Sequence, residues 1–140
     1  MHINNAGDNS DQSDINFALS QKTWAVVGLG NNPERAAFGV AKLLIDKGHT
    51  VIPIHPRAEV VHGQPGYKSI SDVPVPIDVV DLFVNSSRAG EFVDQAIACG
   101  AKAVWLQLDV IDDAAIARAR AAGLIAIQNR CPAIEYKKRA

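Results

Sequence analysis

The residues of this chain that could take part in chemistry lie in five short loops, each of which directly follows a run of apolar residues. The first such loop is Gly28-Leu29-Gly30, after the run Trp24-Ala25-Val26-Val27. Glycine lets the backbone turn tightly and approach an anion, and the free N–H groups at the start of a following helix attract negative charge. The first loop, which continues through Asn31 and Asn32, therefore predicts a phosphate site, with a plain tight turn as the alternative.

Cationic residues follow the first two apolar runs. Arg35 comes just after the glycine loop, and the second run, Thr50 to Ile54, ends in His55-Pro56-Arg57. A site for NAD normally has a third glycine, where this chain has Pro33, and an acid at the end of the second strand. A cation at that place favours a phosphorylated ribose. These residues disfavour NAD and leave NADP or coenzyme A, with a solvent-exposed arginine as the alternative for each cation.

The remaining loops contain Asn85-Ser86-Ser87, Gln107 and Cys131. The serines do not lie in a G-x-S-x-G motif, so they are predicted to donate hydrogen bonds or to cap a helix that begins near Arg88. Cys131 follows Arg130, a cation that favours the thiolate and a mixed disulfide with a bound thiol, and a small packed side chain is the alternative. The four histidines lack metal-ligand spacing and no acid–base pair can be assigned, so neither a metal site nor an enzyme is predicted.

The elements that position these loops alternate between strands and helices. The predicted strands are the apolar runs at residues 24–27, 50–54, 79–84, 103–106 and 124–127. Between them, apolar residues recur at helical spacing, at Ala37, Val40, Ala41 and Leu44 and again at Phe92, Val93, Ala96 and Ile97. Asp112 is expected to cap a further helix, and residues 69–73 are expected to form a single helical turn.

Strands that are apolar at every position are typical of a parallel sheet that is covered on both faces. An alternating order of strands and helices favours the same arrangement, with right-handed crossovers. The predicted fold is therefore an α/β fold, a Rossmann-like doubly wound five-stranded parallel sheet with helices on both faces. In such sheets ligands bind beyond the carboxyl ends of the strands, where the strand order reverses, so the five loops are expected to meet there.

Composition limits the class of protein. The 140 residues have room for one domain of ordinary size, and 14 Lys and Arg against 15 Asp and Glu give a net charge of -1, which disfavours nucleic-acid binding. Two cysteines without a C-x-x-C pair indicate a reducing, cytoplasmic setting, and no apolar run is long enough to span a membrane. Residues 1–21 are rich in Asn, Asp and Ser and are predicted to be a disordered acidic tail, with residues 22–140 as the folded domain.

Four loops also resemble those of a known family. Collinear motifs of the single-domain CoA-binding protein family are Asn32-Pro33-Glu34-Arg35, the run ending in His55-Pro56-Arg57, Trp105-Leu106-Gln107-Leu108 and the segment from Arg130 to Tyr136. The resemblance covers roughly residues 23–138. It implies a Rossmann-like domain related to the CoA-binding domain of the succinyl-CoA synthetase α subunit. The chain departs from the usual family residues at Gly30, Ser86-Ser87-Arg88 and Asp109.

By that resemblance, the first loop and Arg35 would bind the phosphates of coenzyme A, and Pro56-Arg57 would lie near its 3′-phosphate. Asn85, Ser86 and Ser87 would line the adenine or the ribose. The resemblance implies that this protein binds coenzyme A or an acyl-CoA and does not catalyse a reaction. The predicted ligand-binding residues are Gly28, Leu29, Gly30, Asn31, Asn32, Arg35, His55, Pro56, Arg57, Asn85, Ser86, Ser87, Gln107 and Cys131.

Two other functions stay open at this point. One is an NADP-binding subunit of an oxidoreductase. The other is a regulatory or interaction subunit that uses coenzyme A as a structural or sensing ligand and acts as a homo-oligomer or with a protein partner. Apolar helix faces do not discriminate between these functions, because they are already needed to cover the sheet.

Overall fold

The computed structural model describes residues 12–139, which form a five-stranded sheet with helices on both faces. The strands are β1 (Thr23–Val27), β2 (Thr50–Ile54), β3 (Val79–Leu82), β4 (Ala103–Leu106) and β5 (Ile125–Ile127). The helices are α1 (residues 12–19), α2 (Ala36–Asp46), α3 (Ser86–Ala98), α4 (Asp113–Ala121) and α5 (Pro132–Lys137). A short 3-10 helix covers Ile70–Asp72, inside the predicted helical turn.

All five strands run parallel, in the order β2-β1-β3-β4-β5. The chain passes from β1 to β2, returns across β1 to β3, and continues to β4 and β5, so the strand order reverses between β1 and β3. Val26 marks this position, because it pairs with Pro53 of β2 on one side and with Asp81 of β3 on the other. The doubly wound parallel sheet predicted from the sequence is confirmed.

The core has two layers, because successive residues of a strand point to opposite faces of the sheet. On one face, α3 and α4 cover aliphatic side chains such as Val80 and Leu82. On the other face, α1, α2 and α5 cover a layer that contains Trp24 and Trp105, whose ring centroids lie 5.6 Å apart. Helices therefore lie on both faces, as predicted, and both indole rings are fully buried.

The prediction of a disordered tail over residues 1–21 is wrong for residues 12–19, which form α1. Ile15, Ala18 and Leu19 are buried against the layer that contains the two tryptophans. These three residues have the spacing of one helix face, and the polar composition around them concealed that short pattern. Residues 1–11 lie outside the described residues.

The segment after β5 also forms a helix that the periodicity did not predict. Helix α5 has only six residues, with Pro132 in its first turn, where the missing N–H costs no hydrogen bond. Its last turn lies near α1, and the Arg139 guanidinium donates to the Asn16 side chain. The two terminal helices of the described chain are therefore linked by hydrogen bonds, because the Tyr136 hydroxyl also lies 3.3 Å from the Leu19 carbonyl.

The amino edge of the sheet is closed by hydrogen bonds among Leu19, Gln21, Trp24, His49 and Tyr136, here called the amino-edge network. The Gln21 carbonyl accepts from the Trp24 indole at 3.1 Å and from His49 Nδ1 at 2.7 Å. His49 Nε2 lies 2.6 Å from the Tyr136 hydroxyl, which also lies 3.3 Å from the Leu19 carbonyl. Burial lowers the pKa of His49, so its ring is neutral and accepts from Tyr136. The network holds α1 and α5 against the start of β2.

Within residues 12–139, none of the helices combines the length and the apolar character that a membrane-spanning segment needs.

Candidate functional site

A cavity of about 1130 Å³ lies at the opposite, carboxyl edge of the sheet, where the strand order reverses between β1 and β3. Its walls come from the loops after all five strands, so this carboxyl-edge cavity lies where the topology predicts a ligand. Eleven of the predicted residues line it: Gly28, Gly30, Asn31, Asn32, Arg35, His55, Pro56, Arg57, Asn85, Gln107 and Cys131. The volume is ample for a nucleotide cofactor.

The glycine loop directly follows β1 and lies against the backbone that follows β3. Gly28 has a φ of +93°, and its N–H donates to the Ile54 carbonyl at 2.8 Å. A side chain at this position would overlap the backbone oxygen of Phe83, so only glycine fits. Leu29 does not line the cavity, because its apolar side chain is fully buried in the core beneath the loop.

Helix α2 starts at this loop without a side-chain cap. Arg35 occupies the N-cap position, and no side chain bonds to the first N–H groups of the helix. Ala36 and Ala37, the first two helical residues, line the cavity. Uncapped N–H groups and the positive end of the helix dipole therefore face the cavity, an arrangement that favours an anion.

Two cations at the cavity have no partner among the residues that the structure describes. The side chains of Arg35 and Arg57 are exposed, and neither has a hydrogen bond or an ion pair among residues 12–139. Arg88 also lines the cavity, but its guanidinium lies 2.8 Å from the carboxylate of Glu91. The first two guanidinium groups are therefore available to an anionic ligand, while the third is already paired.

The two serines after β3 are placed differently from the prediction. Ser86 Oγ donates to the Asp109 carbonyl at 3.2 Å and accepts from the Ile111 N–H at 2.9 Å, so it holds the neighbouring loop. Ser87 is exposed and does not line the cavity. Asn85 is the N-cap residue of α3, which begins earlier than predicted, and it alone of the three residues lines the cavity.

The buried wall of the cavity contains Gln107 and Cys131. Gln107 is only 6 % exposed, and its Oε1 has no hydrogen-bond partner among the described residues. Cys131 is 7 % exposed and precedes α5 as its N-cap residue. The residue before Cys131 is held in place by Trp105, whose indole N–H donates to the Arg130 carbonyl at 2.9 Å.

Sequence reasoning missed Glu59, whose carboxylate Oε1 accepts from the Asn31 N–H at 3.0 Å. The expected place for an acid was the end of β2, whereas Glu59 lies further along the same loop and is brought back by the turn at Ala58, which has a φ of +50°. An acid in the loop after β2 was visible in the sequence, but its return to the glycine loop depends on that turn. Apolar lining was also missed, at Phe83, Val84, Leu108 and Val110.

The cavity combines backbone N–H groups, two guanidinium groups without a partner in residues 12–139, and an apolar side. No three His, Cys, Asp or Glu side chains of the described residues are grouped so that they could hold a metal ion. Hydrogen-bond donors and positive charge are the complement of phosphate oxygens. The fold and the site are thus typical of the nucleotide-binding domains with a Rossmann-like sheet.

Comparison with known proteins defines the family. Residues 22–137 match the CoA binding domain family, and the chain belongs to it. An uncharacterised protein of Bacillus subtilis, YneT, is 27 % identical over 124 residues, which cover 88 % of this chain and 92 % of that protein. The α subunit of the ADP-forming acetate–CoA ligase II of Pyrococcus furiosus is 32 % identical over 92 residues, 64 % of this chain but only 19 % of that subunit.

Solved structures agree with this assignment. A hypothetical protein from Pyrococcus horikoshii is 42 % identical, with a TM-score of 0.85, and the match covers 90 % of this chain and 89 % of that one. A protein from Thermus thermophilus is 30 % identical, with a TM-score of 0.82 over 91 % of this chain and 97 % of that one. The family resemblance and the Rossmann-like fold expected from the sequence are therefore confirmed.

Proposed function

We propose that this protein binds coenzyme A or an acyl-CoA in the carboxyl-edge cavity and does not transform it. The observation that carries this proposal is the convergence of unpaired donors, namely the N–H groups at the start of α2 and the guanidinium groups of Arg35 and Arg57. Such donors match a ligand with several phosphates. Membership of the CoA binding domain family supports coenzyme A as that ligand.

The ligand would lie across the cavity in a defined direction. The pyrophosphate would contact the N–H groups of Gly30 to Asn32 and of the first turn of α2, with Arg35 beside it, while the Gly28 N–H stays bonded to the Ile54 carbonyl. Arg57 would contact the 3′-phosphate, and Asn85 the adenine or the ribose. The apolar side, with Val84 and Val110, suits the pantetheine arm.

Binding without catalysis is proposed because neither candidate nucleophile near the cavity, Cys131 or Ser86, is hydrogen-bonded to a basic side chain of the described residues. Cys131 is the candidate nucleophile, but no described residue is hydrogen-bonded to its thiol. Ser86 follows β3, and its hydroxyl is already hydrogen-bonded to the Asp109 carbonyl and the Ile111 N–H. An activated nucleophile needs an adjacent base, and neither residue has one.

Isothermal titration of the nucleotide-free protein with coenzyme A, 3′-dephospho-CoA, NADP and NAD tests the proposal. We expect coenzyme A to bind most tightly and 3′-dephospho-CoA more weakly, because it lacks the phosphate assigned to Arg57. If NADP binds and coenzyme A does not, the NADP-binding alternative replaces this proposal. If none of the four ligands binds, a role in binding another protein becomes the better proposal.

The variant Arg57→Gln tests the placement of the ligand. Loss of one charge-assisted contact should weaken coenzyme A binding by roughly 10- to 100-fold and leave the binding of 3′-dephospho-CoA almost unchanged. Lys42→Gln is the matched control, because Lys42 is an exposed cation on α2 that does not line the cavity. A loss below about twofold for coenzyme A would place Arg57 in solvent.

A further inference from the structure

The carboxylate of Glu59 occupies part of the site assigned to the phosphates. Its Oε1 accepts from the N–H of Asn31, one of the backbone donors of the glycine loop. A Cβ built on Gly30 would lie 3.2 Å from the same oxygen and 3.4 Å from the His55 ring. The carboxylate therefore lies directly against the loop, inside the cavity that it lines.

Hydrogen bonds and a close backbone contact fix the backbone around Glu59 in several places. The Ala58 N–H donates to the His55 carbonyl at 2.8 Å, and the side chain of Asn31 donates to the Val60 carbonyl at 2.6 Å. Gly66 approaches so closely that a side chain there would overlap the carbonyl oxygen of Glu59. The residues before and after Glu59 and its own backbone are thus fixed relative to the glycine loop.

The side chain itself has few restraints. The Asn31 N–H is the partner of the Glu59 carboxylate, and no described cation forms an ion pair with it. A phosphate oxygen that approached the Asn31 N–H would compete with the Glu59 carboxylate for this donor. The two negative charges would then lie close to the same N–H and would repel each other. A phosphate that binds at this N–H would therefore have to displace the carboxylate from the loop.

We propose that Glu59 is a specificity-determining residue, an internal anion that occupies the phosphate position of the glycine loop until the ligand displaces it. This inference rests on the proposed function, because it assumes that the ligand's pyrophosphate binds to that loop. A small anion gains too few contacts to displace the carboxylate. A nucleotide that also contacts Arg35 and Arg57 gains enough, so Glu59 selects the complete ligand over free phosphate or pyrophosphate.

The variant Glu59→Gln tests this inference, because it removes the charge and keeps the size of the side chain. We expect coenzyme A and 3′-dephospho-CoA each to bind about tenfold more tightly, since the 3′-phosphate lies elsewhere and loss of the competing charge benefits both ligands equally. Inorganic pyrophosphate, which we expect to be excluded from the native protein, should gain measurable binding. Glu59→Ala also removes the acceptor and should increase affinity at least as much.

Asp46→Asn is the matched control, because it removes one negative charge from the exposed far end of α2. It should change the affinity for coenzyme A by less than about twofold. An equal gain in this control would show a general charge effect and overturn the inference. Weaker coenzyme A binding in Glu59→Gln and Glu59→Ala, with unchanged thermal unfolding, would instead make Glu59 a ligand contact and also overturn it.

The outcomes separate this inference from the proposed function. If the native protein binds coenzyme A and both Glu59 variants bind it with the same affinity, the inference is wrong and the proposed function stands. If neither the native protein nor any Glu59 variant binds coenzyme A, the proposed function fails and the inference fails with it.

Discussion

The polar groups at the two edges of the sheet differ in whether other residues of the protein are hydrogen-bonded to them. At the amino edge, Gln21, His49 and Tyr136 are bonded to one another and to Trp24 and Leu19 within the amino-edge network. At the carboxyl edge, the guanidinium groups of Arg35 and Arg57 and the first two N–H groups of α2, those of Ala36 and Ala37, have no partners among the described residues.

This difference indicates which edge is built for stability and which for binding. Polar groups that are bonded inside the protein have no capacity left for a ligand, whereas donors without partners gain from binding an anion. Both edges belong to one small sheet, in which β1 to β4 have only four or five residues each.

The largest expected effect comes from a pair of glycines, one at each edge. Gly28 has a φ of +93° and Gly48 has a φ of +97°, but only at Gly28 does a neighbouring backbone atom occupy the place of a side chain. We expect Gly28→Ala to lower the free energy of unfolding by about 3 kcal/mol or more, because strain and overlap with Phe83 add. Urea denaturation measures the loss.

Gly48→Ala is the control for the backbone conformation alone, and we expect it to cost about 1 kcal/mol. Equal losses in the two variants would mean that the close approach of β1 and β3 contributes nothing. The comparison between a tightly built carboxyl edge and an open turn at the amino edge would then fail.

The second-largest effect concerns Asp81, which lies fully buried in β3. This residue belongs neither to the amino-edge network nor to the lining of the carboxyl-edge cavity. Neither carboxylate oxygen has a hydrogen-bond partner among the described residues, and burial raises the pKa of this group well above its usual range. The folded protein therefore keeps the Asp81 proton to a higher pH than the unfolded chain. Stability from this group is present at low pH and is lost as the pH rises above about 4, until the folded-state group ionises.

Asp81→Asn removes this titration, so the stability of the variant relative to the native protein should increase with pH. The slope can reach at most about 1.4 kcal/mol for each pH unit in that range. Urea denaturation between pH 4 and pH 8 measures it, and Asp46→Asn should give a difference without such a slope. A relative stability that stays constant or decreases with pH would mean that Asp81 is ionised and paired.

The smallest effect tests the amino edge. Tyr136→Phe removes the hydroxyl that lies 2.6 Å from His49 Nε2, and we expect a loss of about 1 kcal/mol in the free energy of unfolding at pH 8. The affinity for coenzyme A should change by less than about twofold, because the hydroxyl is at the opposite edge from the cavity. Titration calorimetry and urea denaturation of the same sample check both expectations.

Tyr67→Phe is the matched control, because no described residue is hydrogen-bonded to the Tyr67 hydroxyl. We expect its stability to stay within about 0.5 kcal/mol of the native protein. A large loss of coenzyme A affinity in Tyr136→Phe would show that the two edges are energetically coupled, contrary to the comparison.

The parts of the fold that could be predicted are those in which local pattern and tertiary environment agree. The apolar run of β1 and the spacing of Ala37, Val40, Ala41 and Leu44 each match the buried faces of the structure. Helix α1 was missed because the three apolar residues that become buried, in a mostly polar segment, are a weak local signal. Their burial is decided by α2, α5 and the sheet, which are distant in sequence.

The candidate site could be predicted only at the level of its loops. A parallel sheet brings the loops after its strands to one edge, so the cavity's position follows from the strand order. The orientation of single side chains does not, because it depends on contacts between loops. Ser86 bonds to the loop at Asp109 and Ile111, and Glu59 reaches Asn31, through turns that no local pattern specifies. Family resemblance is the basis for proposing coenzyme A as the ligand, whereas the residues alone indicated a phosphorylated nucleotide.

The burial of both tryptophans gives this protein a built-in optical probe. Trp24 and Trp105 are the only tryptophans of the chain, and both rings are fully shielded from water on the same face of the sheet. Exposure of these indoles on unfolding shifts their fluorescence emission to longer wavelength, so one signal follows the whole domain. Trp105 also donates to the carbonyl of Arg130, the residue before Cys131 in the cavity wall. Its emission is therefore sensitive to any movement of that wall when the cavity is filled.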